Sequence, residues 1–134
     1  MPSLSGSWER GFAAARAASE YSNGPQKGYK LGSALYAGSI LLSVGFNDWT
    51  KTSRHASHDT WIGNIHAEIM ALIKRRHYDN PKNLILYVSR TTTTSALNGC
   101  SRPCGNCLAA MDAAGVRRVR FYDEDGNPAE IKLR

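Results

Sequence analysis

Apolar residues recur along this chain with two different periods, and the switches between them divide it into eight elements. Trp8, Phe12, Ala15 and Ala18 fall near helical spacing, which predicts an amphipathic helix over residues 8–21, ended by Asn23-Gly24-Pro25. Residues 31–37 and 39–46 are β-like runs parted by Gly38, as in a tight hairpin. Residues 47–63 are polar, and so long a loop in a small domain is usually functional or disordered. Asn64 offers an N-cap for a second helix over residues 65–77, with Ile65, Ile69, Leu72 and Ile73 on its buried face and Asn80-Pro81 stopping it. Residues 84–88 are continuously apolar, as expected of a central strand. A second polar loop, residues 90–102, leads to Pro103, which opens a third helix. Gly115 is a natural cap at that helix's end. Residues 116–122 read as a strand, 123–127 as a turn and 129–133 as a short final strand.

The order is helix, strand, strand, helix, strand, helix, strand, strand. It predicts a three-layer α/β/α sandwich around a five-stranded mixed sheet. The last two strands are joined by a short turn, which requires an antiparallel C-terminal pair. No repeat, linker or composition break divides the 134 residues, so one domain over 1–134 is expected.

Composition changes this picture little. Hydrophobic residues make up 42% and charged residues 21%, as in ordinary globular proteins. No apolar run approaches membrane-spanning length, and residues 1–6 lack the basic and apolar regions of a signal peptide. The expectation is a cytoplasmic protein with no membrane partner. Cys100, Cys104 and Cys107 are the only cysteines. An odd number so tightly clustered points to metal chemistry in a reducing compartment rather than a disulfide framework. The net charge is +6, from 17 basic and 11 acidic side chains. A basic surface favours a phosphate-bearing partner, either nucleotide or polynucleotide. The charges are spread along the chain, so charge alone does not choose between them.

The candidate chemistry lies in two short motifs. His66-Ala67-Glu68 stands at the start of the second helix, and Pro103-Cys104-Gly105-Asn106-Cys107 at the start of the third. His66 offers an imidazole nitrogen, and Cys104 and Cys107 offer two thiolates. Three protein ligands leave a tetrahedral Zn2+ one open position for water, as a catalytic site requires. Zinc also lowers the pKa of such a water towards neutrality. Helix N-termini carry partial positive charge, which favours the thiolate form. The i, i+3 spacing of Cys104 and Cys107 puts both sulfurs on one face of a turn. Glu68 is not needed as a ligand and is placed to carry protons beside that water. A structural zinc site would want a fourth protein ligand, for which Cys100, His55 or His58 could serve, and would have no use for the carboxylate.

The two motifs match the H-x-E and P-C-x-x-C pattern of zinc nucleobase deaminases. With them, nearly the whole chain resembles the cytidine and deoxycytidylate deaminase superfamily. Tyr29-Lys30-Leu31-Gly32-Ser33-Ala34-Leu35 and Val44-Gly45-Phe46-Asn47 resemble its first hairpin, and Ala114-Gly115-Val116-Arg117-Arg118-Val119 follows the second zinc motif as in the family. The resemblance implies hydrolytic deamination of cytosine to uracil, with Glu68 as the proton carrier. It implies that Asn47 contacts the sugar, that the Ala67 N–H helps recognise the base, and that Ser101, Arg102 and Pro103 line the pocket. Superfamily members are often dimers or tetramers, so a homo-oligomer is also implied.

Three features are mixed in type. The antiparallel C-terminal pair is like that of free-cytidine deaminases and some toxin-type deaminases, where polynucleotide-editing enzymes and typical deoxycytidylate deaminases place a helix. His66, in contrast, is like the deoxycytidylate and polynucleotide branches, because free-cytidine deaminases usually carry cysteine there. The length leaves no room for the reductase partner domain of riboflavin-pathway deaminases. The expected substrate is a cytosine nucleoside or nucleotide such as cytidine or dCMP; the alternative is cytosine in single-stranded DNA or RNA. For the alternative, Trp49 and Trp61 would stack on bases, and Lys51, Arg54, His55, His58, Arg90 and Arg102 would meet phosphates. A second zinc on Cys100, His55 and His58 would follow some deoxycytidylate deaminases. A non-catalytic protein with a structural zinc is the remaining reading.

Overall fold

The computed structural model describes residues 6–21, 29–47, 66–74, 83–92 and 101–133. The elements are α1 (Gly6–Ser19), β1 (Tyr29–Ala37), β2 (Ile40–Phe46), α2 (Ala67–Lys74), β3 (Leu84–Thr92), α3 (Gly105–Ala113), β4 (Arg118–Tyr122) and β5 (Pro128–Lys132). Trp49, Lys51, Arg54, His55, His58, Trp61, Asn64 and Cys100 lie outside the described residues, and with them the stacking and second-zinc expectations and, apart from Arg90 and Arg102, the phosphate one.

The strands form one sheet in the order β2-β1-β3-β4-β5. β1 is antiparallel to β2 and β3, β3 is parallel to β4, and β4 is antiparallel to β5. The sheet is therefore mixed and ends in the expected antiparallel pair. Gly38, at φ +60, takes the first position of the two-residue loop between β1 and β2. A left-handed first position is what glycine supplies in such hairpins.

The unbroken apolar run of β3 is explained by burial on both faces. Ile85 and Tyr87 point to a cluster with Phe12 and Ala15 of α1, Ala34 and Tyr122. Leu84, Leu86 and Val88 point the other way, to Ile69 and Ala71 of α2, Cys107 and Met111 of α3, and Val119 and Phe121 of β4. This period of two places α1 on one face and α2 with α3 on the other, giving the three expected layers. Burying each large aliphatic side chain contributes about 1.5–3 kcal/mol, so the sheet's middle strands anchor both helix layers.

The helix boundaries differ from expectation where it matters. α2 begins at Ala67, and the His66 carbonyl accepts the Met70 N–H at 3.0 Å, the first bond of the helix. α3 begins at Gly105, with Cys104 as its N-cap and Pro103 outside the helix. The far end of α3 is as expected. Gly115, at φ +88, donates to the Asp112 carbonyl, and Val116 donates to that of Met111. This is the Schellman arrangement, for which a left-handed glycine is suited.

Candidate metal centre

Two helix N-termini meet on the α2–α3 face. Packing against the hairpin seats the first of them. Ser33 donates its hydroxyl to the Ala67 carbonyl at 2.8 Å, and Ser43 donates to that of Ala71 at 2.6 Å. The Phe46 N–H reaches the Met70 sulfur at 3.4 Å. Gly45 touches the backbone of Ala67 and Ala71 where a side chain would collide with them. Ala67 is wholly buried, and its N–H belongs to the first turn, which has no partner within its own helix.

Ser101 seats the second. Its hydroxyl donates to the Val88 carbonyl at 2.8 Å and accepts the Tyr122 N–H at 2.9 Å, while its own N–H donates to the Tyr122 carbonyl. One buried serine thereby ties β3 to β4 three residues before Cys104. Pro103 is buried, and Arg102 is exposed with its guanidinium 5.6 Å from the centre of the Phe121 ring.

These two seatings bring His66, Cys104 and Cys107 together, with their ligand atoms all within 4.8 Å of one another. His66 Nδ1 lies 3.3 Å from Cys107 Sγ and 3.9 Å from Cys104 Sγ. Tetrahedral zinc at its usual bond lengths sets a nitrogen and a sulfur about 3.5 Å apart. The donor types and spacing fit that ion, with Nδ1 as the imidazole donor.

Without the ion, the two sulfurs divide one charge unequally. Hydrogen bonds from the Cys107 and His66 side chains to the Cys104 sulfur hold its thiol down to about 3, against the opposing effect of burial. The Cys107 N–H adds a bond at 3.4 Å. Cys107 is pushed up, first by its bond to that thiolate and then by burial. Glu68 is 3% exposed, and its Oε1 has no hydrogen-bond partner among the described residues. Burial raises its carboxyl pKa, the Cys104 thiolate adds to this, and its own backbone N–H, His66 and Cys107 oppose it. A buried carboxyl with a raised pKa beside three metal donors suits proton transfer at a metal.

Asn47 ends β2, buried, with its Oδ1 accepting the Leu31 N–H at 2.9 Å and its own N–H donating to the Leu31 carbonyl. It closes the open end of the hairpin. The seating residues Ser33, Ser43 and Gly45 were not singled out by sequence reasoning. A signal was available in Gly45 itself, a glycine inside a strand, which marks close approach of another backbone.

The sequence model for the cytidine and deoxycytidylate deaminase zinc-binding region matches residues 7–123. No curated protein matches the chain. Among solved structures, the cytidine deaminase of Burkholderia pseudomallei superposes with a TM-score of 0.67 at 21% identity, covering 93% of this chain and 91% of that one. The dCMP deaminase of cyanophage S-TIM5 gives 0.60 at 21% identity, covering 89% and 85%. The cytidine deaminase of Mycobacterium leprae gives 0.61 at 17% identity, covering 94% and 92%. At these identities the likeness is one of fold.

Proposed function

The chain belongs to the cytidine and deoxycytidylate deaminase family, and from that premise we propose that it deaminates a small cytosine nucleoside or nucleotide, cytidine or dCMP. Zinc-dependent deamination of cytosine is the family's chemistry. The observation that carries the reading for this chain is the meeting of His66, Cys104 and Cys107 beside the buried carboxyl of Glu68.

In this proposal His66 Nδ1 and the two sulfurs hold the ion. The ion supplies Lewis acidity, which brings a water's pKa towards neutrality. Glu68 takes a proton from the attacking water as its oxygen adds to C4 of cytosine. Glu68 passes that proton to N3. It then takes the remaining water proton and delivers it to the 4-amino group as the C4–N bond breaks. Water has then been exchanged for ammonia, and the base is uracil. A carboxyl whose pKa burial raises suits a group that must both accept and give a proton in one cycle. The N–H of Ala67 is available to the base. Arg102 and Pro103 flank the ligand turn and would line the pocket. Ser101 acts through the backbone it holds, and Asn47 meets the sugar.

Small substrates are favoured because cytidine and dCMP deaminases share this fold across most of their length. The test is to incubate the zinc-loaded protein with cytidine, dCMP, and single- and double-stranded DNA and RNA, and to follow uracil. Uracil from cytidine or dCMP, lost in Glu68→Ala with zinc retained, is the expected result. Uracil formed only in a polynucleotide would overturn the choice of substrate, and none from any would overturn the activity.

A further inference from the structure

We propose that Asn83, Arg117, Arg118 and Lys132 form a second ligand site, built for a phosphate group. They line a cavity of about 280 Å³ at the end of the sheet where β3 and β4 begin and β5 ends. Three of its four lining residues carry cationic side chains. The fourth, Asn83, carries an amide that can donate to an oxyanion. Among the described residues no carboxylate forms an ion pair with any of the three.

The pairing of β4 with β5 shows why this is not an ordinary solvated edge. Arg120 stands directly opposite Glu130, and its Nε donates to Oε2 at 2.8 Å. Two residues along the same strand pair, Arg118 stands directly opposite Lys132. Like charges opposite one another across a sheet are unfavourable, whereas opposite charges stabilise. Glu130, the carboxylate of the neighbouring pair, is already held by Arg120. A phosphate between Arg118 and Lys132, with Arg117 beside it, would turn the unfavourable pair into two charge-assisted contacts.

This cavity is separate from the metal centre. The Arg117 N–H donates to the Leu84 carbonyl, whereas Ser101, which positions the zinc-ligand turn, bonds the Val88 carbonyl. Four residues of extended chain place those two carbonyls about 13 Å apart. The site does not depend on the proposed deamination. The phosphate could come from a free phosphate compound or from a polynucleotide backbone.

The test uses the zinc-loaded protein labelled with nitrogen-15, at constant low ionic strength. Inorganic pyrophosphate is one probe. The other is a short single-stranded oligothymidylate, which has no cytosine to deaminate. The amides of Asn83, Arg118 and Lys132 should shift saturably, with Cys107 as the reference at the metal centre. Arg118→Gln and Lys132→Gln should each weaken binding about tenfold while keeping the fold, since each removes one of two opposed like charges. Saturation by oligothymidylate at lower concentration than pyrophosphate assigns the site to a polynucleotide backbone, and the reverse order to a free phosphate compound. Either order supports the site. No saturable shift with either probe, shifts reproduced by sodium chloride of matched ionic strength, or unchanged binding in both variants would overturn it.

Discussion

Gly45 in β2 lies so close to Ala67, the first residue of α2, that a methyl group on it would overlap the Ala67 carbonyl oxygen and the Ala71 nitrogen. Those neighbours are backbone, so they cannot rotate aside. Gly45→Ala must lift α2, which carries Glu68 and begins directly after His66. Such overpacking costs about 1–3 kcal/mol. Zinc affinity should fall as well, because His66 would move relative to the two cysteines. Gly38→Ala is the control. A methyl there meets nothing within 4 Å, so only its φ of +60 is unfavourable. That strain is about 1–2 kcal/mol and lies in the hairpin turn. Urea unfolding and zinc titration of both variants should show equal or greater destabilisation with weakened zinc for Gly45→Ala. Equal zinc affinity in the two would show that Gly45 does not seat α2.

Ser101→Ala should be costly although the side chain is small. It strips one bond from the Val88 carbonyl and one from the Tyr122 N–H, in a place closed to water. Leaving such a group unsatisfied costs about 1–3 kcal/mol. If Ser101 acts by holding the Cys104 turn, Ser101→Ala should lower kcat and zinc affinity together and leave KM for cytidine nearly unchanged. A rise in KM alone would mean that Ser101 touches substrate instead.

Much of this was legible in the sequence because its signals are local. The alternation of Leu84 through Val88 between two clusters, and the left-handed glycine after α3, follow from period and turn chemistry. The meeting of His66, Cys104 and Cys107 was legible because chain spacing puts these potential donors on successive helix starts. The helix starts themselves were misplaced. Pro103 looks like the better opening for α3 by propensity, yet Cys104 takes the capping position, and α2 begins at Ala67. Tertiary contacts from Ser33, Ser43 and Gly45 seat α2, whereas α3 is capped locally, by the sulfur of Cys104 accepting the Cys107 N–H. The opposition of Arg118 and Lys132 was hidden for a similar reason, since it depends on the register between two strands.

Glu68→Gln should separate activity from stability. Turnover should fall by ~10²–10⁴-fold or more, because the amide cannot carry the proton. Stability should move the other way in the metal-free protein. Burial, first of all, holds the Glu68 pKa above its ordinary value. A group with a raised folded pKa favours the native state fully below its unfolded value, near 4.3, and loses that contribution as pH rises through the folded value. Glutamine does not titrate, so it escapes this loss. The melting temperature of Glu68→Gln minus that of the wild type should therefore be smallest near pH 4 and grow towards pH 7. A difference that stays flat or shrinks with rising pH would show that Glu68 is not desolvated as the fold places it.

The Cys104 sulfur should betray its charge by how it reacts. Its hydrogen bonds from Cys107 and His66 hold its pKa at about 3, and the side chain is exposed. In the metal-free protein it is then already a thiolate across pH 5 to 8. Alkylation by iodoacetamide should proceed at a nearly constant rate over that range. An ordinary thiol, with a pKa near 8.5, would speed up about tenfold per pH unit over most of it. Cys107 is buried, and its pKa is pushed the other way, so it should react slowly throughout. Tandem mass spectrometry of the modified peptide can tell Cys104 from Cys107 and from Cys100. Zinc should suppress the reaction at Cys104, and a chelator should restore it. A Cys104 rate that climbs tenfold per pH unit would remove the thiolate. Rapid alkylation in the zinc-loaded protein would remove Cys104 from the ligand set.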